Sequence, residues 1–237
     1  MMPEKLQPWC DLTFDGCHSP RVAGLRGPYN ALMKPVQRYT VCALLLAASL
    51  PAHATDYRFD TTHTQVFFSA SHLGMSNPLG RLHVKSGFIR FDSGDWSKAH
   101  VEATIDTASL DMGDAAWNRR LRSGEFLDTD KYPSARFVSE RVEKTGDNEG
   151  IAHGKLTLLG ATRALDLHVK FNRAGLEPYS LQYTAGFSAD AKFKRSEFGI
   201  KKYIPDIGDE VTIHVEVEGL RGADTREQSA PENTSGS

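Results

Sequence analysis

Arg195 opens the run Arg195-Ser196-Glu197-Phe198-Gly199-Ile200, at the end of a long alternating stretch where the chain must bend before Pro205. A guanidinium presents a planar fork of N–H donors that matches phosphate or carbonyl oxygens, so one reading aims Arg195 at a ligand head group. A second reading makes the run a bulge, with Arg195 paired to an acid and Phe198 plugging one end of the core. The spacing fits both. His72 is the candidate for proton transfer. By period two it shares a face with Val66, Phe68 and Ala70, opposite Gln65, Phe67, Ser69 and Ser71. An inward histidine is either a hydrogen-bonded structural group or an acid–base group. The other histidines after residue 54 are His63, His83, His100, His153, His168 and His214. They show no H-x-x-x-H or H-x-H spacing with a carboxylate, which speaks against a metal site.

Covalent chemistry finds no support in the sequence. There is no G-x-S-x-G and no phosphate-cradling glycine loop. Asp128-x-Asp130 is too short for a calcium loop, and Asp106 and Asp111 read as residues bracketing a turn. Arg119, Arg120 and Arg122 read as a solvated helix face, and Trp117 as a cap on the core or on a tunnel through it. With no nucleophile, metal or cofactor motif, the non-enzymatic readings are a ligand-binding protein or a filled domain acting through its surface. A hydrolase or isomerase built around His72 is the enzymatic alternative.

Such side chains need a frame, and Gly154 to Phe171 shows what it is. Two runs of alternating apolar and polar residues flank Gly160, which predicts a β-hairpin. The same alternation marks Thr64–His72, Gly80–Phe91, His100–Ile105, Ala135–Val142, Ile151–Leu159, Ala164–Phe171, Tyr179–Lys192 and Val211–Leu220. Turn residues connect them, including Asn172 to Pro178. Ala115–Arg122 lacks glycine, proline and β-branched residues and predicts one short helix, capped at Asp114. Eight amphipathic antiparallel strands leave two exposed edges unless they close into a barrel, whose interior is then filled or holds one small ligand. A sandwich has the same periodicity.

The ends of the chain read differently. Lys34 and Arg38 precede an apolar run from Val41 to Leu50, followed by Ala52-His53-Ala54. That is the pattern of a secretory signal cleaved before Thr55. A run of about 10 apolar residues reaches only about half-way across a bilayer, so stable membrane insertion is not expected. Residues 1–32 show no periodicity and read as a mis-assigned start or an unusually long n-region, residues 33–54 as the signal, 55–220 as the domain and 221–237 as a disordered tail. Cys10, Cys17 and Cys42 all precede Thr55, so the mature chain has no disulfide and depends on its core. Removing five basic and three acidic residues with the leader leaves 23 basic and 27 acidic, a net charge of −4 that does not favour nucleic acid.

Seven motifs along the domain resemble the YceI-like family. They are D-x-x-H-T at Asp60–Thr64, S-H-L-G at Ser71–Gly74, I-D-T-A-S-L at Ile105–Leu110, L-R-S-G-E-F-L at Leu121–Leu127, K-Y-P-S-A-R-F-V-S at Lys131–Ser139, G-K-L-T-L-L-G-A-T-R at Gly154–Arg163 and R-S-E-F-G-I at Arg195–Ile200. The resemblance implies a secreted, periplasmic, lipocalin-like barrel holding an isoprenoid, quinone or related lipid in an apolar tunnel, with no established catalysis. On that basis the side chains expected around a ligand are Val66, Phe68, His72, Ile105, Trp117, Leu121, Phe126, Phe137, Leu156, Phe187, Arg195 and Phe198. The chain departs from the family in the short helix. Where many relatives carry Arg-Asp-x-His-Leu, it has Trp117-Asn118-Arg119-Arg120-Leu121, so ligand identity does not carry over.

Overall fold

The computed structural model of the chain describes residues 54–222. Residues 1–53 and 223–237 lie outside them, and with them the expected extension, the expected leader up to residue 53 and all but the first two residues of the expected tail, of which Arg221 ends the last strand. Among the described residues there are nine strands: β1 (Thr55–Phe59), β2 (Gln65–His72), β3 (Leu79–Phe91), β4 (His100–Asp111), β5 (Ser134–Lys144), β6 (Glu149–Leu158), β7 (Ala161–Leu176), β8 (Tyr183–Lys194) and β9 (Ile207–Arg221). From β2 to β9 each strand pairs antiparallel with the next, and β9 returns to β2, which closes the sheet. No edge is left in the ring, as closure requires.

Nine strands occupy eight positions. β1 lies beside Phe88–Phe91 of β3 and Gly219–Arg221 of β9, while β2 lies beside Leu79–His83 and Ile207–Glu216 of the same strands. The two are one strand position broken by the turn Asp60–Thr64. There the Asp60 carboxylate accepts the Thr62 N–H at 2.9 Å and meets His63 Nδ1 at 2.8 Å, and the Asp60 carbonyl accepts the Thr64 N–H at 2.9 Å. The eight-strand expectation thus has the right ring and lacks β1. A second difference lies at Asn172 to Pro178, expected to turn. A bulge between Phe171 and Arg173 lets β7 run on to Leu176, and β8 starts at Tyr183 instead of Tyr179.

The hairpin between β6 and β7 forms as the sequence predicts. Leu159 and Gly160 both take positive φ, +49° and +75°, as a two-residue turn with matching twist demands. The helix α1 (Ala115–Arg122) also has its expected limits, with the Asp114 carboxylate accepting the N–H groups of Ala116 and Trp117 at 2.9 Å.

Candidate ligand-binding cavity

Alternation puts one set of side chains from every wall strand inside the ring, and that set does not fill it. Six inward positions, Ala70, Ala99, Ala103, Ala135, Ala152 and Ala189, carry only a methyl group. An eight-position barrel has room for packed side chains or for one small ligand, and alanine at these sites leaves space. The result is a cavity of about 430 Å³. That is within the range of small-molecule sites. Its walls are apolar except for Ser71, His72, His100, Thr107, Arg120, Arg195 and the Tyr203 hydroxyl.

One end is sealed. Trp96, 3% exposed, sits in a short 3₁₀ turn between β3 and β4 whose Asp95 carboxylate accepts the Ser97 N–H at 3.2 Å. Its ring meets Phe91 edge-on at 5.1 Å, and Phe91 in turn touches Phe171 and Phe187, each at 5.0 Å. Such edge-to-face contacts add to what area burial alone supplies. The indole also lies against Gly150, where a Cβ would fall 2.6 Å from the ring, so only glycine lets Trp96 reach this depth.

The other end is a mouth. Only three cavity-lining residues are exposed, Trp117, Arg120 and Tyr203, and all three lie at the α1 end. Trp117 stacks obliquely on His72, ring centroids 5.8 Å apart. Arg120 donates to the Tyr203 hydroxyl and pairs with Glu125 at 2.7 Å, while Lys202 reaches the same Glu125 at 3.2 Å. Two cations therefore share one carboxylate beside the opening.

Over residues 57–219 the sequence matches the YceI-like domain. The chain belongs to the YceI-like family. A UPF0312 protein of Serratia proteamaculans is 38% identical over 192 residues, 80% of this chain and 98% of the relative. Among solved structures, the YCEI protein of Campylobacter jejuni is 26% identical with a TM-score of 0.54, covering 63% of this chain and 88% of that one. A polyisoprenoid binding domain from Saccharophagus degradans shares the fold at 17% identity and a TM-score of 0.53, over 70% of this chain and 98% of that one.

In this YceI-like barrel eleven of the twelve side chains expected around a ligand line the cavity: Val66, Phe68, His72, Ile105, Trp117, Leu121, Phe126, Phe137, Leu156, Phe187 and Arg195. Phe198 does not. It closes the 3₁₀ turn Arg195–Phe198, packs edge-on against Phe193 at 5.2 Å and is buried in the cluster that holds Phe126, Phe137 and Leu156, as expected of a plug at one end of the core.

Arg195 is 4% exposed and acts as a clamp. It donates to the carbonyls of Gly208 (2.9 Å), Ile200 (3.0 Å), Lys202 (3.0 Å) and Ile207 (2.8 Å), which ties both ends of the loop before β9 to the turn after β8. Backbone carbonyls stand where the sequence offered an acid or a ligand. Burial lowers its pKa, and the charge of nearby Asp209 opposes that shift. Asp209 itself accepts the Ser196 N–H and hydroxyl at 2.9 and 2.8 Å. The His72 ring meets Trp117, and no carboxylate hydrogen-bonds to it among the described residues. Arg119 and Arg120 are exposed, as a solvated helix face predicts, with Arg120 at the mouth, while Arg122 is half-buried and donates to the Leu110 carbonyl. Tyr203 sits in a loop without periodicity, so nothing in the sequence pointed to it. Among the described residues no group of three His, Cys, Asp or Glu could hold a metal ion.

Proposed function

We propose that this YceI-like protein binds and carries a long-chain amphiphile of isoprenoid, quinone or fatty-acyl type in the periplasm, without turnover. The observation that carries this reading is the hollow, apolar interior, sealed at the Trp96 end and open at the Trp117 end. A tail entering the mouth meets mostly hydrocarbon and aromatic walls on its way to the Trp96–Phe91–Phe187 cluster. Each buried CH₂ contributes about 0.8 kcal/mol, so a dozen carbons give roughly 10 kcal/mol, enough for micromolar binding before any polar contact. Thr107 and Arg195, the buried polar residues of the lining, already bond to backbone carbonyls. Head-group contacts therefore fall to His72, Arg120 and Tyr203 at the rim. The Saccharophagus degradans relative, described as polyisoprenoid binding, supports the same class of ligand.

The test is organic extraction of protein purified gently from its host, followed by mass spectrometry, together with titration of prenyl, quinone and fatty-acyl probes. The expected result is about one lipid per barrel and saturable probe binding. An empty extract combined with no binding of any probe would overturn the reading. Cell fractionation with intact-mass measurement checks the location, for which a mature chain starting at Thr55 is expected.

A further inference from the structure

We propose that the mouth of the barrel docks on the surface of an anionic lipid bilayer, an inference that rests on the carrier reading above. The segment from His72 to Leu79, H-L-G-M-S-N-P-L, carries no Asp, Glu, Lys or Arg, and it presents Leu73, Met75 and Leu79 at 51%, 84% and 69% exposure. Trp117, Tyr203 and Ile204 are exposed beside it. These side chains form one rim. The Leu73 N–H donates to the Asp206 carbonyl at 2.7 Å, Trp117 stacks on His72, and Arg120 of the helix bonds to Tyr203. An uncharged apolar projection with an aromatic border is what inserts at a membrane interface, where tryptophan and tyrosine settle at head-group level.

Charge selects the occupant. The mature chain is acidic overall, and in and beside α1 and the loop after β8 the cations Arg119, Arg120, Arg122, Lys201 and Lys202 are matched in number by Asp111, Asp114, Glu125, Glu197 and Asp206. Arg120 and Lys202 are paired with Glu125, whereas Arg119 and Lys201 are exposed and form no ion pair among the described residues, which leaves two cations beside the apolar tip to meet anionic head groups. An insoluble tail must cross water to reach the cavity unless the mouth meets the bilayer directly. Apolar residues also project at the opposite end, where Leu176 and Leu181 flank the β7–β8 turn, but no opening lies there. They supply the control.

The experiment is co-sedimentation of the full chain with phosphatidylcholine vesicles, with and without phosphatidylglycerol. Variants are compared with the parent, so that anything residues 1–53 contribute is common to both. M75D/L79D is expected to weaken binding to the mixed vesicles about ten-fold or more, since two apolar side chains lose their burial. R119E/K201E is expected to weaken it about ten-fold on mixed vesicles only. L176D/L181D should bind as the parent does. Parent-like binding by M75D/L79D, an equal loss in L176D/L181D, or equal parental affinity for the two vesicle types would overturn the proposal. A soluble fluorescent fatty-acyl probe separates it from the carrier reading. Met75 and Leu79 lie outside the cavity lining, so M75D/L79D should keep parental probe affinity. If the parent binds no probe while its vesicle binding follows the expected pattern, the carrier reading fails and the docking surface stands.

Discussion

At one end of the barrel the connection between β3 and β4 drives Trp96 inward onto Phe91 and Gly150, leaving it 3% exposed. At the other end the connection between β4 and β5 folds as α1, an eight-residue helix that buries none of its side chains and lays Trp117, 39% exposed, across the opening. The strands between the two ends share one alternating pattern, interrupted only at bulges such as that between Phe171 and Arg173. The contrast teaches that the walls make the space while the connections decide which end of it opens. A tryptophan sits at each end, and its depth separates a plug from a rim.

Trp96→Ala should have the largest effect, a loss of about 3–5 kcal/mol of stability by urea unfolding, because a large aromatic leaves a void in the sealed end. Unchanged stability would mean that the seal does not depend on the indole. Arg195→Met should cost about 2–4 kcal/mol, since carbonyls that accepted from the guanidinium lose their donors. If the variant melts like the parent and only head-group preference changes, the clamp is instead a ligand contact. Phe68→Asp should cost about 2 kcal/mol and abolish probe binding, whereas Phe67→Asp, on the outer face, should be mild. Similar melting curves and similar probe affinities for the two would contradict the register. Trp117→Ala should shift stability by less than about 1 kcal/mol but speed probe dissociation in stopped-flow measurements, the opposite balance to Trp96→Ala. A stability loss as large as that of Trp96→Ala would make the two ends alike.

The smallest effect belongs to the wall between the ends. The hydrogen bond to Asp190 at 2.8 Å raises the His214 pKa, aided by Glu216 at 2.9 Å. A raised folded-state pKa means that this stabilisation is complete below the unfolded value of about 6.5 and fades as pH climbs through the higher folded value. His214→Gln should flatten the decline in melting temperature above that pH. An identical pH profile in the variant would assign the slope to other groups.

Much of this was legible because local chemistry set it. The helix limits follow from the Asp114 cap, and the inner face of β2 from period two. β1 escaped notice because five residues are too short a window for alternation to stand out. The β7–β8 turn was misplaced because the bulge at Asn172 lets polar residues continue a strand. Phe198 and Arg195 show a deeper limit. Phe198 lies in a 3₁₀ turn, where period two no longer says which side chains border the cavity, and the partners of Arg195 are backbone carbonyls, which have no signature in residue type. Arg120 meets Tyr203 across 83 positions of sequence, a pairing that only the closed ring creates.

The broken strand position has a consequence for how the molecule comes into being. Closing the ring requires β2, near the start of the domain, to find β9 at its end, as in the pairing of Val66 with Val215. Contacts so distant in the chain form late, because a long loop must be ordered before they yield any gain, and a topology dominated by them folds slowly. Until β9 arrives the chain is an open sheet with two unpaired borders and no enclosed volume. The enclosed cavity therefore exists only once the last strand is in place, and a chain shortened before Ile207 would have walls but no closed interior.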